Sequence, residues 1–241
     1  MPGTTLKTEA IVLRSIRYGE ADRILHLYST ARGRVGAIAK GVRRPRSRFG
    51  GRLEPFFRLD LLLHEGRGEL LTVTGVSTVD GYPRLRSSGP ALTAAARSCD
   101  AVLRLLDSAE PNPPAYNLLC RYLALLDGPD PERAVGLATA VSFRLKLALA
   151  AGFVPELASC AQCGEAEHLS GFSGAAGGVV CAGCEAGSFA LSEDAHRFMV
   201  EAIAHPLAEA PDAEERALRQ ADRAVAETLE HHAHVQLRAA A

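Results

Sequence analysis

The sequence predicts an α+β chain built as two domains, a small antiparallel β-barrel followed by an all-α domain with a four-cysteine insertion. Three observations predict it. Apolar residues come in short β-branched runs as far as residue 80, then recur every three or four residues from about residue 90. Charge divides near the same place: residues 1–86 carry 16 Lys+Arg against 8 Asp+Glu, and the remainder 11 against 20. The third is a C-x2-C-x17-C-x2-C pattern inside the helical part. The boundary falls in "DGYPRLRSSGP" (80–90), giving domains at 1–80 and 81–241, with the insertion at about 156–190.

The predicted strands are "LKTEAIVLRSI", "ADRILHLYST", "GRVGAIAKGV", "PFFRLDLLLH" and "ELLTVTGV", bounded mostly by glycine or polar turns. "HEGRGE" (64–69) reads as a hairpin connection between the last two. Five short strands in about 75 residues fit a small barrel, for which the OB-fold is the usual five-stranded form.

Helices follow. Leu92, Ala95, Ala96, Cys99, Val102, Leu103 and Leu106 mark the first, and Tyr116, Leu119, Cys120, Leu123 and Leu126 the second. "ERAVGLATAVSFRLKLALAAG" is apolar almost all round and reads as one buried helix, with Gly152 as its C-terminal stop. Ser192 caps a helix over 193–204, and a last helix covers 212–236.

No apolar run reaches the roughly 18 residues that a membrane span requires. The beginning carries Lys7, Glu9 and Arg14 where a signal peptide needs an apolar core. The reading is a soluble, cytoplasmic protein, associated with the nucleoid during repair if its partner is DNA. In a reducing compartment, close cysteine pairs favour a metal over disulfides.

Cys160, Cys163, Cys181 and Cys184 are the candidate ligands. Each C-x-x-C knuckle converges two sulfurs on one ion, and two knuckles complete the tetrahedron that Zn2+ prefers. Four thiolates leave no open position, so the expected role is structural, one zinc per chain. The glycine-rich stretch between the knuckles is expected to be organised by the metal. Cys99 and Cys120 lie on apolar helix faces and read as core.

The second signal is "KGVRRPRSRFGGR" (40–52), with six Lys or Arg among thirteen residues and no acid. Pro45, Gly50 and Gly51 make it a loop. Arg14, Arg17, Arg23, Arg32 and Arg34 on neighbouring strands and turns are expected to join it in one cationic face suited to a nucleic-acid backbone. Tyr18, Tyr28 and Phe49 are candidates for stacking on bases, each with barrel core as its competing reading. No P-loop, H-E-x-x-H or nucleophile triad pattern is present, so covalent catalysis is not expected.

"TEAIVLRSIRYGEADRILHLYSTARGRVGAIAKGVRRPRSRFGGRLEPFFRLDLLLHEG" resembles the N-terminal domain of the RecO family of recombination mediators. "FRLKLALAAGFVPELASCAQCG" and "FSGAAGGVVCAGC" resemble that family's helical domain and zinc insertion. The resemblance implies an OB-fold that binds single- and double-stranded DNA, and annealing of strands coated with single-stranded DNA-binding protein. It also implies action with RecR to load RecA, with the coat protein's acidic tail docking on the helical domain. The DNA-binding residues it implies are Lys40, Arg43, Arg44, Arg46, Arg48 and Arg52, and less directly Arg14 and Arg34. The alternative is an OB-fold and zinc RNA-binding protein of translation or transcription, which would share the basic loop and ignore the coat protein.

Overall fold

In the computed structural model, residues 4–66 and 68–240 are described. They divide into two compact units, one ending at Gly128 and one beginning at Pro129. The first therefore includes two helices beyond the barrel. Among the described residues, no helix is long and apolar enough to cross a membrane.

The barrel strands are β1 (Thr5–Tyr18), β2 (Asp22–Ser29), β3 (Gly33–Ala39), β4 (Arg58–His64) and β5 (Leu71–Asp80). They close in the order β1-β2-β3-β5-β4. Alternation decides the faces. Ala10, Val12, Leu25, Leu27, Val35, Ala37, Leu59, Leu61, Leu63 and Val73 point inward as one core, and their neighbours point out. Four of the pairings are antiparallel, whereas β3 and β5 run parallel. The expectation of an all-antiparallel barrel needs that correction, and the reason is parity. Strands that alternate direction around a closed ring must be even in number, so a ring of five contains a like-directed pair. The connection between β4 and β5 includes Arg67, which lies outside the described residues, so the hairpin expected at 64–69 is described only in part.

Two helices complete the first unit, α1 (Gly89–Leu105) and α2 (Pro113–Leu126). Ser88 and Asn112 side chains accept from the N–H groups of Ala91 and Ala115, capping donors that a helix start leaves unpaired. Tyr116 of α2 stacks on Tyr28 of β2 with centroids 6.4 Å apart, which accounts for Tyr28 being buried on the outside of the barrel. Its hydroxyl donates to Glu9 Oε1 at 2.8 Å, and Arg58 Nε donates to the same oxygen at 2.6 Å. Cys99 is buried as expected, while Cys120 is half-buried.

The second unit holds α3 (Pro131–Val135), α4 (Leu137–Ala150), α5 (Glu193–Ala204) and α6 (Glu215–Ala233). The single helix expected over 132–152 is broken at Gly136, whose ψ of 152° is extended and which ends α3 as it starts α4. Glycine gives up the most backbone freedom in a helix, so a break is cheapest there. α4 is buried and packs on α5 and α6. It ends as expected at Gly152: φ is +85°, with Gly152 N–H on Leu149 O and Phe153 N–H on Ala148 O, the Schellman pattern. Ser192 caps α5 through Ala195 N–H.

The helical unit is not all helix. β6 (Leu169–Ser173), β7 (Gly178–Cys181) and β8 (Phe189–Ala190) form a three-stranded sheet in the order β7-β6-β8. The glycines that argued against independent order there are close-approach sites. A Cβ on Gly174 would lie 2.7 Å from Glu227 Cβ of α6, and one on Gly178 would lie 2.4 Å from Glu156 O. Phe172, Val179 and Val180 are fully buried, and Phe172 meets Phe189 with centroids 5.7 Å apart. Arg223 of α6 lies over the Phe189 ring at 4.0 Å. The sheet therefore has apolar anchors of its own besides the cysteines.

Candidate nucleic-acid interface and metal centre

The chain leaves β3 at Ala39 and returns at Arg58 through a series of turns without helix or strand, as the glycines and proline require. Phe49 and Leu53 of this segment are buried at 2% and 1% exposure and belong to the barrel core. Val42 packs against the same core. Glu54 takes both Nη atoms of Arg23 at 2.9 Å each, and Gly41 N–H donates to Asp22 Oδ1 at 2.7 Å. The segment is thus pinned at both ends and plugged in the middle.

Its cations point the other way. Lys40, Arg43, Arg44, Arg46, Arg48 and Arg52 are all exposed. None is within ion-pair distance of a carboxylate among the described residues. Their protein contacts are light: Arg43 donates to Gly19 O and Arg52 to Phe49 O, both at 3.4 Å, and the Arg48 guanidinium rests 4.8 Å from the Phe49 centroid. Positive charge left without protein partners is free to take phosphate oxygens.

The strand arginines do not all join this cluster. Arg23 stands opposite the core residue Ala39, so it turns into the mouth of the barrel and is taken up by Glu54. Arg32 sits on the turn at the opposite end of β3 and pairs with Glu65. The expected single cationic face therefore loses these two. Arg14 is exposed in mid-strand opposite His26, and half-buried Arg34 donates to Leu103 O at 3.4 Å. Burial, together with the nearby charges of Arg34 and Arg14, holds the His26 pKa below its usual value. Of the three aromatic candidates, Tyr28 and Phe49 are buried, and Tyr18 is 54% exposed.

The four insertion cysteines come together. Their sulfurs all lie within 4.8 Å of one another, with Cys163 and Cys181 at 3.7 Å. Tetrahedral Zn–S bonds of about 2.3 Å imply sulfurs about 3.8 Å apart, so the arrangement fits such an ion with little adjustment. The first knuckle is shaped by Gly164, whose φ of +80° lets its N–H reach Cys160 O at 2.8 Å. Ala161 N–H on Val179 O ties that knuckle to β7, which leads directly into the second. Backbone N–H groups, that of Cys181 foremost, hold the Cys160 thiol down to about 6. Cys184 is pushed up to about 12 by sharing its surroundings with Cys163 and Cys181. Four sulfurs this close cannot all ionise unaided, and a cation at their centre resolves the repulsion.

Two family models account for the chain: one described as recombination protein O N terminal matches residues 1–82, and one described as recombination protein O C terminal matches 86–240. The chain belongs to the RecO family. A DNA repair protein RecO from Rubrobacter xylanophilus is 42% identical over 226 residues, covering 90% of this chain and 89% of that protein. Another from Pelotomaculum thermopropionicum is 41% identical over 183 residues, 75% of this chain and 68% of its own length. One from Anaeromyxobacter sp. strain K is 37% identical over 185 residues, 76% and 71%. The two RecO family models meet between residues 82 and 86, whereas compactness groups α1 and α2 with the barrel. Sequence reasoning missed that grouping because it rests on Tyr116, Tyr28 and Glu9, which are distant along the chain.

Proposed function

We propose that this chain is a recombination mediator. It binds single- and double-stranded DNA, anneals complementary strands coated with single-stranded DNA-binding protein, and acts with RecR to help load RecA. The observation that carries the reading is the anchored loop of six exposed cations, Lys40, Arg43, Arg44, Arg46, Arg48 and Arg52, with no carboxylate partner among the described residues. Arg14 and Arg34 extend it along the barrel. Membership of the RecO family supports the rest.

The physical step is electrostatic. Two phosphodiester backbones repel as they approach, and a cationic surface that touches both replaces condensed counterions and lowers that cost. Nothing in this step consumes a nucleotide, and the chain is read as a mediator without covalent chemistry. The cysteine cluster is assigned one structural zinc, since four thiolates complete its coordination. The coat protein's tail is assigned to the helical unit, in keeping with the family resemblance.

The test is annealing of two fluorescently labelled complementary strands, each coated with the cognate single-stranded DNA-binding protein, without ATP. Fast annealing on the cognate coat and none on a non-cognate coat is expected. Annealing of bare strands alone would reduce the chain to a generic cationic DNA binder. A preference for RNA with indifference to the coat would favour a translation or transcription protein instead.

A further inference from the structure

The outer surface of β1, β2 and β3 carries an apolar row that the charge of the loop does not explain. Ile16 stands opposite Ile24, and Ile24 opposite Ile38. Residues paired across adjacent strands share a face, so the three isoleucines form one line about 10 Å long. The next pairs along, Leu25 with Ser15 and with Ala37, lie on the opposite, inward face. Ile16 is 42% exposed, and Ile24 and Ile38 are half-buried. Tyr18 continues the outward side of β1 at 54% exposure. At Gly36, the outward position before Ile38, a side chain would strike Leu70 at 2.7 Å, so exposed Leu70 leans over β3 and widens the row.

Cations flank the row on both sides. Arg14 and Arg34 lie on one side, with His26 between their strands. Lys40 and Arg43 lie on the other, where Arg43 N–H donates to Ala21 O and its guanidinium to Gly19 O, holding the basic loop beside Tyr18. The carboxylate opposite Tyr18, Asp22, is taken up by Gly41 N–H. An apolar strip edged by arginine suits a ligand with flat apolar faces and an anionic spine, and unpaired nucleotides have both.

We infer that this face takes the unpaired bases of a single DNA strand, with bases packed along Ile16, Ile24 and Ile38 and stacked on Tyr18, and phosphates turned to Arg14 and Arg43. The inference rests on the reading that the chain binds DNA, and it adds the source of strand preference. A duplex keeps its bases in its own stack and presents only phosphates, so the loop binds either form while the isoleucine row engages one.

The chain has no tryptophan, so Tyr18→Trp places a single emitting reporter on this face. Oligothymidylate should quench its fluorescence at concentrations where labelled-DNA anisotropy shows binding, and a blunt duplex bound to the same extent should not. Binding of thymidylate without quenching, or equal quenching by duplex, would overturn the inference. A second variant, Ile16→Ser with Tyr18→Ser, changes two positions already more than two-fifths exposed, and thermal melting verifies its fold. Its affinity for thymidylate should fall about tenfold, the order of one lost stacking contact, with duplex affinity and salt dependence unchanged. Equal losses on both DNAs, or no loss, would assign the row to another partner. Failure of the unaltered chain to bind either DNA would instead defeat the functional reading itself.

Discussion

Arg48 and Phe49 are neighbours that face opposite ways: the Phe49 ring is buried at 2% exposure in the barrel core, and the Arg48 guanidinium lies outside, 4.8 Å from the ring centroid. The basic loop is therefore seated on the core. Its charge has a defined position because one residue in its middle is apolar.

Phe49→Ala should remove that seat. Truncating a buried phenylalanine costs about 3–5 kcal/mol, and urea denaturation should show a loss in that range. Phe49→Leu should cost distinctly less, since it retains most of the apolar volume. If the two variants are equally stable, Phe49 does not plug the core.

The loop cations should set the salt dependence of DNA binding. Six phosphate contacts imply a slope of log K against log salt of about −4 for single strands, and two about −1.4. Replacing Arg43, Arg44, Arg46 and Arg48 together with Ala should move the slope by that much in anisotropy titrations across a salt series. Replacing Arg32, already paired with Glu65 at the far end of β3, should leave it unchanged. An unaltered slope in the fourfold variant would place the DNA elsewhere.

Metal analysis should find one zinc per chain, lost in Cys163→Ser. Chelation should abolish amide protection at 160–164 and 181–184, where the knuckles depend on the ion. β6 should keep part of its protection, because Phe172, Val179 and Val180 are buried independently of the sulfurs. A metal-free preparation with unaltered protection at the knuckles would contradict the assignment.

Acid should weaken the attachment of α2 to the barrel. Burial raises the Glu9 pKa, but hydrogen bonds from Arg58 and Tyr116 outweigh it and hold the carboxyl below its ordinary value. A folded-state pKa below the unfolded one means stability that is complete above about pH 4.3 and lost as pH falls through the folded value. Glu9→Gln should flatten that acid limb in melting experiments. Tyr116→Phe removes one hydrogen bond to a charged group and should cost about 1.5–3 kcal/mol at neutral pH, read from urea denaturation. An acid limb identical in Glu9→Gln and the unaltered chain would assign it to other carboxylates.

What was legible in the sequence is what is local. The five barrel strands are written in an alternation of period two, the cysteine knuckles in a two-residue spacing, and the loop in its run of arginines. Helix ends were legible where one residue decides them, as at Ser192 and Gly152. The three short strands β6, β7 and β8 were not, since five, four and two residues carry too little pattern and their order comes from docking on α6. Nor does composition distinguish Arg23 from Arg43. Both are arginines in a basic stretch, and only the closed barrel turns one toward Glu54 and leaves the other open to solvent. The row of Ile16, Ile24 and Ile38 is likewise invisible along the chain, because each isoleucine alone reads as core. Register across three strands put them on one outer face, and the parallel β3–β5 pairing that shuts the ring follows from strand number and closure, which no local segment encodes.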